Sequence, residues 1–211
     1  LSFSVALVLG PILVHLGGLQ LIFIITGVLS LAGIVLVLTL VPTPARKKHR
    51  DGSAIVSEVF KQLGNGELWP LNIGIFILHA LMVTMFVAIP SQLIQAGLTL
   101  NQHAWLYLPV LLTAFVLMVP FVIIAEKKRQ MKGIVIIALG IMIFALIIMS
   151  QAMGVWSWAI ALGVFFWAFN IMEATLPSWL SKVAPAGAKG SAMGVYSTMQ
   201  FLGAFAGGLI G

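Results

Sequence analysis

The sequence predicts an all-α, polytopic membrane protein, and three observations lead to this fold class. Of the 211 residues, 61% are hydrophobic and 8% are charged, whereas a soluble domain carries about 25% charged residues. The apolar residues form runs that approach the ~20 residues of a transmembrane helix, without the alternation of β-barrel strands. The basic residues are confined to alternate segments between these runs. This composition excludes a soluble globular protein and argues against a nucleic-acid partner.

Seven apolar runs, spans A to G, are long enough to cross or nearly cross a bilayer as helices. In order, they cover residues 1–16, 20–41, 70–91, 104–125, 133–151, 155–178 and 189–211. The chain opens inside span A, without an initiator Met, and ends inside span G. We therefore expect it to be a piece of a longer polypeptide, with the remainder as its structural partner.

The charged residues between the spans predict which side of the membrane each connecting segment faces. All eleven Lys and Arg residues lie in segment 42–69, in the turn 126–132 and in the connection after span F that ends at Lys189. The connections around 17–19, 90–104 and 152–154 contain none. The positive-inside rule makes the basic segments cytoplasmic.

Segment 42–69 is the longest polar stretch and is predicted to be a cytoplasmic interdomain loop. Its first part, "PTPARKKHRDG", opposes helix formation. The following "SAIVSEVFKQLGNG" predicts an amphipathic helix, with Ser53 as N-cap and Gly64 as its stop. Its apolar face consists of Ile55, Val56, Val59, Phe60 and Leu63. We expect this helix to lie on the inner membrane surface; a solvated linker helix is the alternative.

Span A contains "LGPILVHLGG", which resembles the antiporter signature in the fifth helix of drug:proton antiporters of the major facilitator superfamily. Gly10 and Pro11 match its Gly-Pro, while Gly17 and Gly18 follow three residues later than the usual Gly-Gly, and Ala6 replaces an expected glycine. Proline removes a helix hydrogen bond, which predicts a bend. The resemblance implies that this bend lies between the two halves of the transporter and helps to seal its outer side.

Two further stretches carry the resemblance over the whole chain, as helices five to eleven of twelve. "AEKKRQMKG" resembles the second copy of the superfamily's loop motif, with Glu126 and Lys127 as its acid and first base and Arg129 in place of its glycine. "FNIMEATLPSWLSKVAPAGAKGSAMGVYSTMQFLGAFAGG" resembles the tenth and eleventh helices. Residues 1–41 then hold the last two helices of the N-terminal half, and residues 70–211 hold five helices of the C-terminal half.

Glu173 is an acid inside span F, some seventeen residues from its outer end. At ~1.5 Å per residue this depth lies near the cytoplasmic end, and an ionised carboxylate there requires a partner. Three roles fit: a cytoplasmic latch, which is favoured, a proton-coupling carboxylate, or a static salt bridge. The predicted cytoplasmic gate consists of Glu126, Lys127, Arg129, Glu173, Lys182 and Lys189.

His79 lies about halfway along span C, where transporter sites occur, and an imidazole exchanges protons near neutral pH. A hydrogen-bonded core histidine is the alternative. Other polar residues could line the same cavity or join helices by hydrogen bonds, namely Asn72, Thr84, Asn170, Tyr196 and Gln200. The small residues Gly194, Gly203 and Gly207 predict close helix packing in span G.

The sequence lacks the enzyme signatures HExxH, GxSxG and Walker A, so neither an enzyme nor an ATP-driven pump is expected. The resemblance implies a monomeric secondary transporter of the bacterial inner membrane, without cofactor or metal. Alternating access would then couple protons to the export of small amphipathic or drug-like molecules. An uptake symporter or facilitator is the alternative, and a membrane sensor or scaffold that keeps the fold is a third possibility.

Overall fold

The computed structural model describes residues 2–42 and 56–211, and confirms an all-α fold for these ranges. The chain divides into two compact units, residues 1–48 and 49–211. The first unit contains helix α1 (Ser2–Leu40). The second contains α2 (Val56–Leu63), α3 (Trp69–Gln95), α4 (His103–Lys127), α5 (Met131–Ser150), α6 (Val155–Val183) and α7 (Lys189–Ile210).

Helix α1 holds both spans A and B, joined at a break in its backbone. Gly17 (φ −156°, ψ 22°) and Gly18 (φ 66°, ψ −173°) are non-helical, whereas Gly10 and Pro11 lie within the helical part. The departure from helical geometry is therefore at Gly17–Gly18 rather than at the Gly-Pro pair for which a bend was predicted. The Gly18 conformation is one that only glycine adopts readily, because a Cβ atom would be strained there.

Replacing Gly18 with Ala is expected to destabilise α1 by ~1–3 kcal/mol, the typical strain of a non-glycine residue in such a conformation. Thermal unfolding of the detergent-purified full-length protein measures this effect. Gly27→Ala is the matched control, because an added Cβ at Gly27 meets nothing within 4 Å and alanine favours a helix interior by about 1 kcal/mol. Equal midpoints for the two variants would contradict the argument.

Among the described residues, five helices are long and apolar enough to cross a membrane. They are Ile12–Leu40 within α1, and α3, α4, α5 and α6. The sequence predicted seven spans, and the difference has two sources. Spans A and B are two helical segments of α1 that meet at the Gly17–Gly18 break, and α7 is less apolar than α3, α4, α5 and α6, with Gln200 near its middle.

Helix α6 is the centre of the second unit, and it packs most extensively on α4 and α5. Its fully buried side chains are Phe165, Phe166, Leu162, Ile171, Thr175, Leu176 and Leu180. Trp167 Nε1 donates a hydrogen bond to the carbonyl oxygen of Leu117 (3.0 Å), and its ring packs edge-on against Phe121. Apolar packing around α6 therefore joins α4 and α5 to this helix.

Helices α3 and α7 form the other closely packed pair and run in the same direction. A Cβ added at Gly203 would lie 2.1 Å from the Phe76 carbonyl oxygen, and one at Gly207 would lie 2.3 Å from that of Ala80. The two backbones are therefore almost in contact, in line with the packing predicted for these glycines. Gly194 differs, because nothing lies within 4 Å of its added Cβ, so it does not belong to the packed stripe.

Of the predicted amphipathic helix, the structure describes α2 (Val56–Leu63), while Ser53 and Ile55 lie outside the described residues. It ends at Leu63, where the Gly64 N–H donates to the Phe60 carbonyl oxygen (3.1 Å), in agreement with the predicted stop. The helix packs against α7, yet the Phe60 side chain is 68% exposed. This exposed apolar side is what a helix on a membrane surface requires, and that location stays a prediction.

Candidate functional site

Three polar side chains from three different helices meet inside the second unit: His79 of α3, Glu173 of α6 and Gln200 of α7. We call them the interhelical cluster. Gln200 Nε2 lies 2.8 Å from His79 Nε2 and 3.5 Å from Glu173 Oε1. His79 Nε2 lies 3.8 Å from Glu173 Oε2. A carboxyl, an imidazole and an amide therefore share one site at which α3, α6 and α7 converge.

The contacts of His79 fit a neutral imidazole with its proton on Nδ1. Nδ1 lies 3.3 Å from the carbonyl oxygen of Ile75, which can only accept. With the Gln200 amide nitrogen as the donor, His79 Nε2 accepts at 2.8 Å. In this tautomer the accepting nitrogen faces both the amide of Gln200 and the carboxyl of Glu173.

The three members of the cluster lie at the same level of the helical bundle. His79 is ten residues after the start of α3, Glu173 ten residues before the end of α6, and Gln200 eleven residues after the start of α7. At 1.5 Å per residue, each is about 15 Å from the end of its helix that the positive-inside rule predicts to be cytoplasmic. The cluster therefore lies well inside the bundle and away from the helix ends.

This depth corrects the position expected for Glu173. The sequence placed Glu173 near the cytoplasmic end of a span that ended at residue 178, but α6 continues through Pro177 to Val183. Its carboxyl contacts His79 and Gln200, and not Lys182 or Lys189, with which it was grouped in the predicted gate. The physical reason is distance, because Lys182 lies nine residues away, about 13 Å along the helix axis.

Several atoms around the cluster can accept or donate further hydrogen bonds. Among the described residues, no hydrogen-bond partner reaches Glu173 Oε2, Asn72 Oδ1, Thr175 Oγ1 or the Tyr196 hydroxyl, although these four atoms are buried. Asn72 precedes His79 by two helical turns and Tyr196 precedes Gln200 by one, so both lie on the cytoplasmic side of the cluster. Buried polar atoms are normally satisfied, so this region is suited to polar guests such as protons and water.

The remaining predicted cavity residues have other surroundings. Thr84 Oγ1 donates to the Gly207 carbonyl oxygen (3.1 Å), so Thr84 joins α3 to α7. Asn170 is half-buried on α6, one turn before Glu173. Phe169, which the sequence did not single out, packs its ring 5.8 Å from that of His79. The His79 ring therefore has both an aromatic neighbour, Phe169, and polar neighbours, Glu173 and Gln200.

A second polar group joins α4 to α6 at their cytoplasmic ends. The Glu126 carboxylate accepts hydrogen bonds from the Ser178 hydroxyl and from the Lys182 ammonium group, with which it forms an ion pair. Ser178 was not predicted, although it lies one turn before Lys182 on the same helical face, which was the available signal. Lys127 and Lys189 are exposed and have no ion-pair partner among the described residues. The predicted gate thus includes one formed contact, between Glu126 and Lys182.

Fold and site together define a polytopic helical membrane protein with an ionisable cluster inside the helical bundle, a feature that is typical of transporters. The profile of the Major Facilitator Superfamily matches residues 1–208. The chain belongs to this superfamily.

Individual relatives agree with this assignment. The chain is 42% identical, over 213 residues, to "Inner membrane transport protein YajR" of Escherichia coli (strain K12), covering 100% of this chain and 47% of the relative. It is 32% identical, over 210 residues, to an uncharacterized transporter of Buchnera aphidicola subsp. Acyrthosiphon pisum (strain APS), covering 98% of this chain and 54% of the relative. The chain thus spans about half the length of these curated relatives.

Proposed function

We propose that this chain is part of a proton-coupled secondary transporter of the bacterial inner membrane, which exports small amphipathic molecules by alternating access. The observation that carries the proposal is the interhelical cluster, in which a carboxyl and an imidazole meet inside the helical bundle. Superfamily membership and the relative named an inner membrane transport protein support transport and location. The direction of export rests on the likeness of span A to the antiporter signature.

The cluster offers a chemical route by which a proton could change helix contacts. In the neutral state, Gln200 of α7 donates to His79 Nε2. Protonation of Nε2 removes this acceptor and creates a donor, and the unsatisfied Glu173 Oε2 of α6 lies 3.8 Å away. His79 would then exchange its bond to α7 for a charge-assisted bond to α6. Binding of a proton at His79 Nε2 would therefore move the hydrogen bond of His79 from Gln200 of α7 to Glu173 of α6.

The other predicted sites complete this mechanism. The Glu126–Lys182 contact ties α4 to α6 at the predicted cytoplasmic rim, where it would form part of the cytoplasmic gate. Lys127, Arg129 and Lys189 lie at the same rim and contribute positive charge to it. Gly10, Pro11, Gly17 and Gly18 of α1 carry the likeness to the antiporter signature on which the direction of export rests.

The test uses everted membrane vesicles from cells that produce the full-length protein. Respiration acidifies the vesicle lumen, and we expect an amphipathic cation such as ethidium to accumulate there as protons leave. Nigericin, which collapses the pH gradient, should release it, and vesicles without the protein are the control. Substrate that moves in the same direction as the protons would identify a symporter. The absence of any gradient-dependent movement across a panel of amphipathic compounds would favour the sensor or scaffold.

A further inference from the structure

A pocket of about 580 Å³ lies at the cytoplasmic ends of α4, α5 and α6, away from the interhelical cluster. Its lining residues are Glu126, Arg129, Met131, Lys132, Trp179, Lys182 and Val183. Three cations and one carboxylate thus surround a space that also has apolar walls. The positive-inside rule places this pocket at the headgroup level of the inner leaflet.

The cations of the pocket are only partly neutralised. Glu126 pairs with Lys182, whereas Arg129 and Lys132 form no ion pair with any described residue. The pocket therefore keeps two free positive charges. Arginine presents a planar fork of donors that matches a phosphate group, and lysine adds a point charge. These groups suit a phosphate ligand.

The backbone of Arg129 provides an independent observation. After α4 ends, the Gln130 N–H donates to the Ala125 carbonyl oxygen and the Arg129 N–H donates to that of Glu126, which is the Schellman motif. The position of Arg129 in this motif is normally glycine, because it is left-handed, and Arg129 has φ 53°. A strained non-glycine residue is typical of functional sites. Here it keeps a guanidinium group at the pocket.

The apolar walls distinguish a lipid from a free anion. Met131 and Val183 line the pocket, and Trp179 is a half-buried aromatic residue of the kind found at membrane interfaces. Beyond the pocket, Ile136 and Ile143 lie on the same face of α5 as Lys132 and are 58% and 59% exposed. An acyl chain could follow this face from the charged pocket into the bilayer.

We propose that this pocket binds the phosphate group of an anionic phospholipid of the cytoplasmic leaflet. Arg129 and Lys132 hold the phosphate, Trp179 packs beside the headgroup, and the acyl chains lie along the exposed face of α5. Basic pockets between transmembrane helices on the cytoplasmic side favour such lipids. Inorganic phosphate shares the charge but has no apolar part.

The test measures thermal unfolding of the detergent-purified full-length protein with phosphatidylglycerol, phosphatidylcholine or inorganic phosphate. We expect phosphatidylglycerol to raise the unfolding midpoint above the value with phosphatidylcholine, and inorganic phosphate to have little effect. The double variant Arg129→Gly/Lys132→Gln should lose at least half of the phosphatidylglycerol increment. Without lipid, its midpoint should not fall, because glycine relieves the left-handed strain at position 129.

The matched control is Lys127→Gln/Lys128→Gln, which removes two charges close by that do not line the pocket. This variant should keep the phosphatidylglycerol increment. Equal loss in both double variants would overturn the proposal in favour of diffuse surface charge, as would equal increments from phosphatidylglycerol and phosphatidylcholine. Equal stabilisation by inorganic phosphate would overturn the lipid assignment. If the first variant unfolds without lipid, Lys132→Gln alone provides the same comparison.

Discussion

Replacing Glu173 with Gln is expected to lower gradient-driven export about 5- to 150-fold, the range that corresponds to typical coupling free energies of ~1–3 kcal/mol. The change keeps the size of the side chain and leaves one amide oxygen to accept from Gln200, so the packing of α6 is preserved. It removes the negative charge that a protonated His79 would meet 3.8 Å away. Downhill exchange of substrate should continue, because it requires no net proton movement.

The measurement compares pH-gradient-driven accumulation of ethidium with its counterflow at equal pH on both sides of the vesicle membrane. Glu126→Gln is the matched control, since it makes the same chemical change at a carboxyl that contacts Ser178 and Lys182 instead. The Glu126→Gln variant should show a changed rate of substrate exchange, while its driven transport should still depend on the pH gradient. If Glu173→Gln impairs driven transport and exchange alike, the coupling role is wrong and a latch or structural role is favoured.

The depth of Glu173 shows where reasoning from the sequence reached its limit. The predicted order of helical segments agrees with the structure, because apolar length and the alternation of charged segments are properties of the chain itself. The end of α6 was placed five residues too early, at a point next to Pro177. Proline lacks an N–H and disfavours a helix interior, but it does not end a helix that its neighbours support, as α4 and α5 do here.

The partners of His79 could not be predicted from one sequence, because they depend on which helices pack together. Gln200 and Glu173 were both recognised as polar residues inside spans, yet their meeting requires α3, α6 and α7 to converge. The close packing of Gly203 and Gly207, by contrast, could be predicted from helix geometry. Gly203 and Gly207 are one turn apart, whereas Gly194 precedes Gly203 by nine residues and so points to the opposite side of α7 at ~3.6 residues per turn.

The double variant Gly203→Ala/Gly207→Ala is expected to lose ~2–6 kcal/mol of stability, the largest stability effect that we predict. Each added Cβ would lie within 2.1 to 2.3 Å of a backbone carbonyl oxygen of α3, a contact that no side-chain rotation can relieve. Overpacking typically costs ~1–3 kcal/mol per site, and total stabilities are about 5–15 kcal/mol. Thermal unfolding and the yield of monodisperse full-length protein in detergent measure the loss.

Gly194→Ala is the control on the same helix, because its Cβ meets nothing within 4 Å and alanine should favour the helix by about 1 kcal/mol.

Each single glycine variant also tests the link between packing and the interhelical cluster. His79 lies between Phe76 and Ala80 on α3, and Gln200 is one turn before Gly203 on α7, so separating the two helices must lengthen the 2.8 Å contact between His79 and Gln200. A folded Gly203→Ala variant should therefore lose gradient dependence as well as stability. A double variant as stable as Gly194→Ala would show that α3 and α7 do not pack this closely.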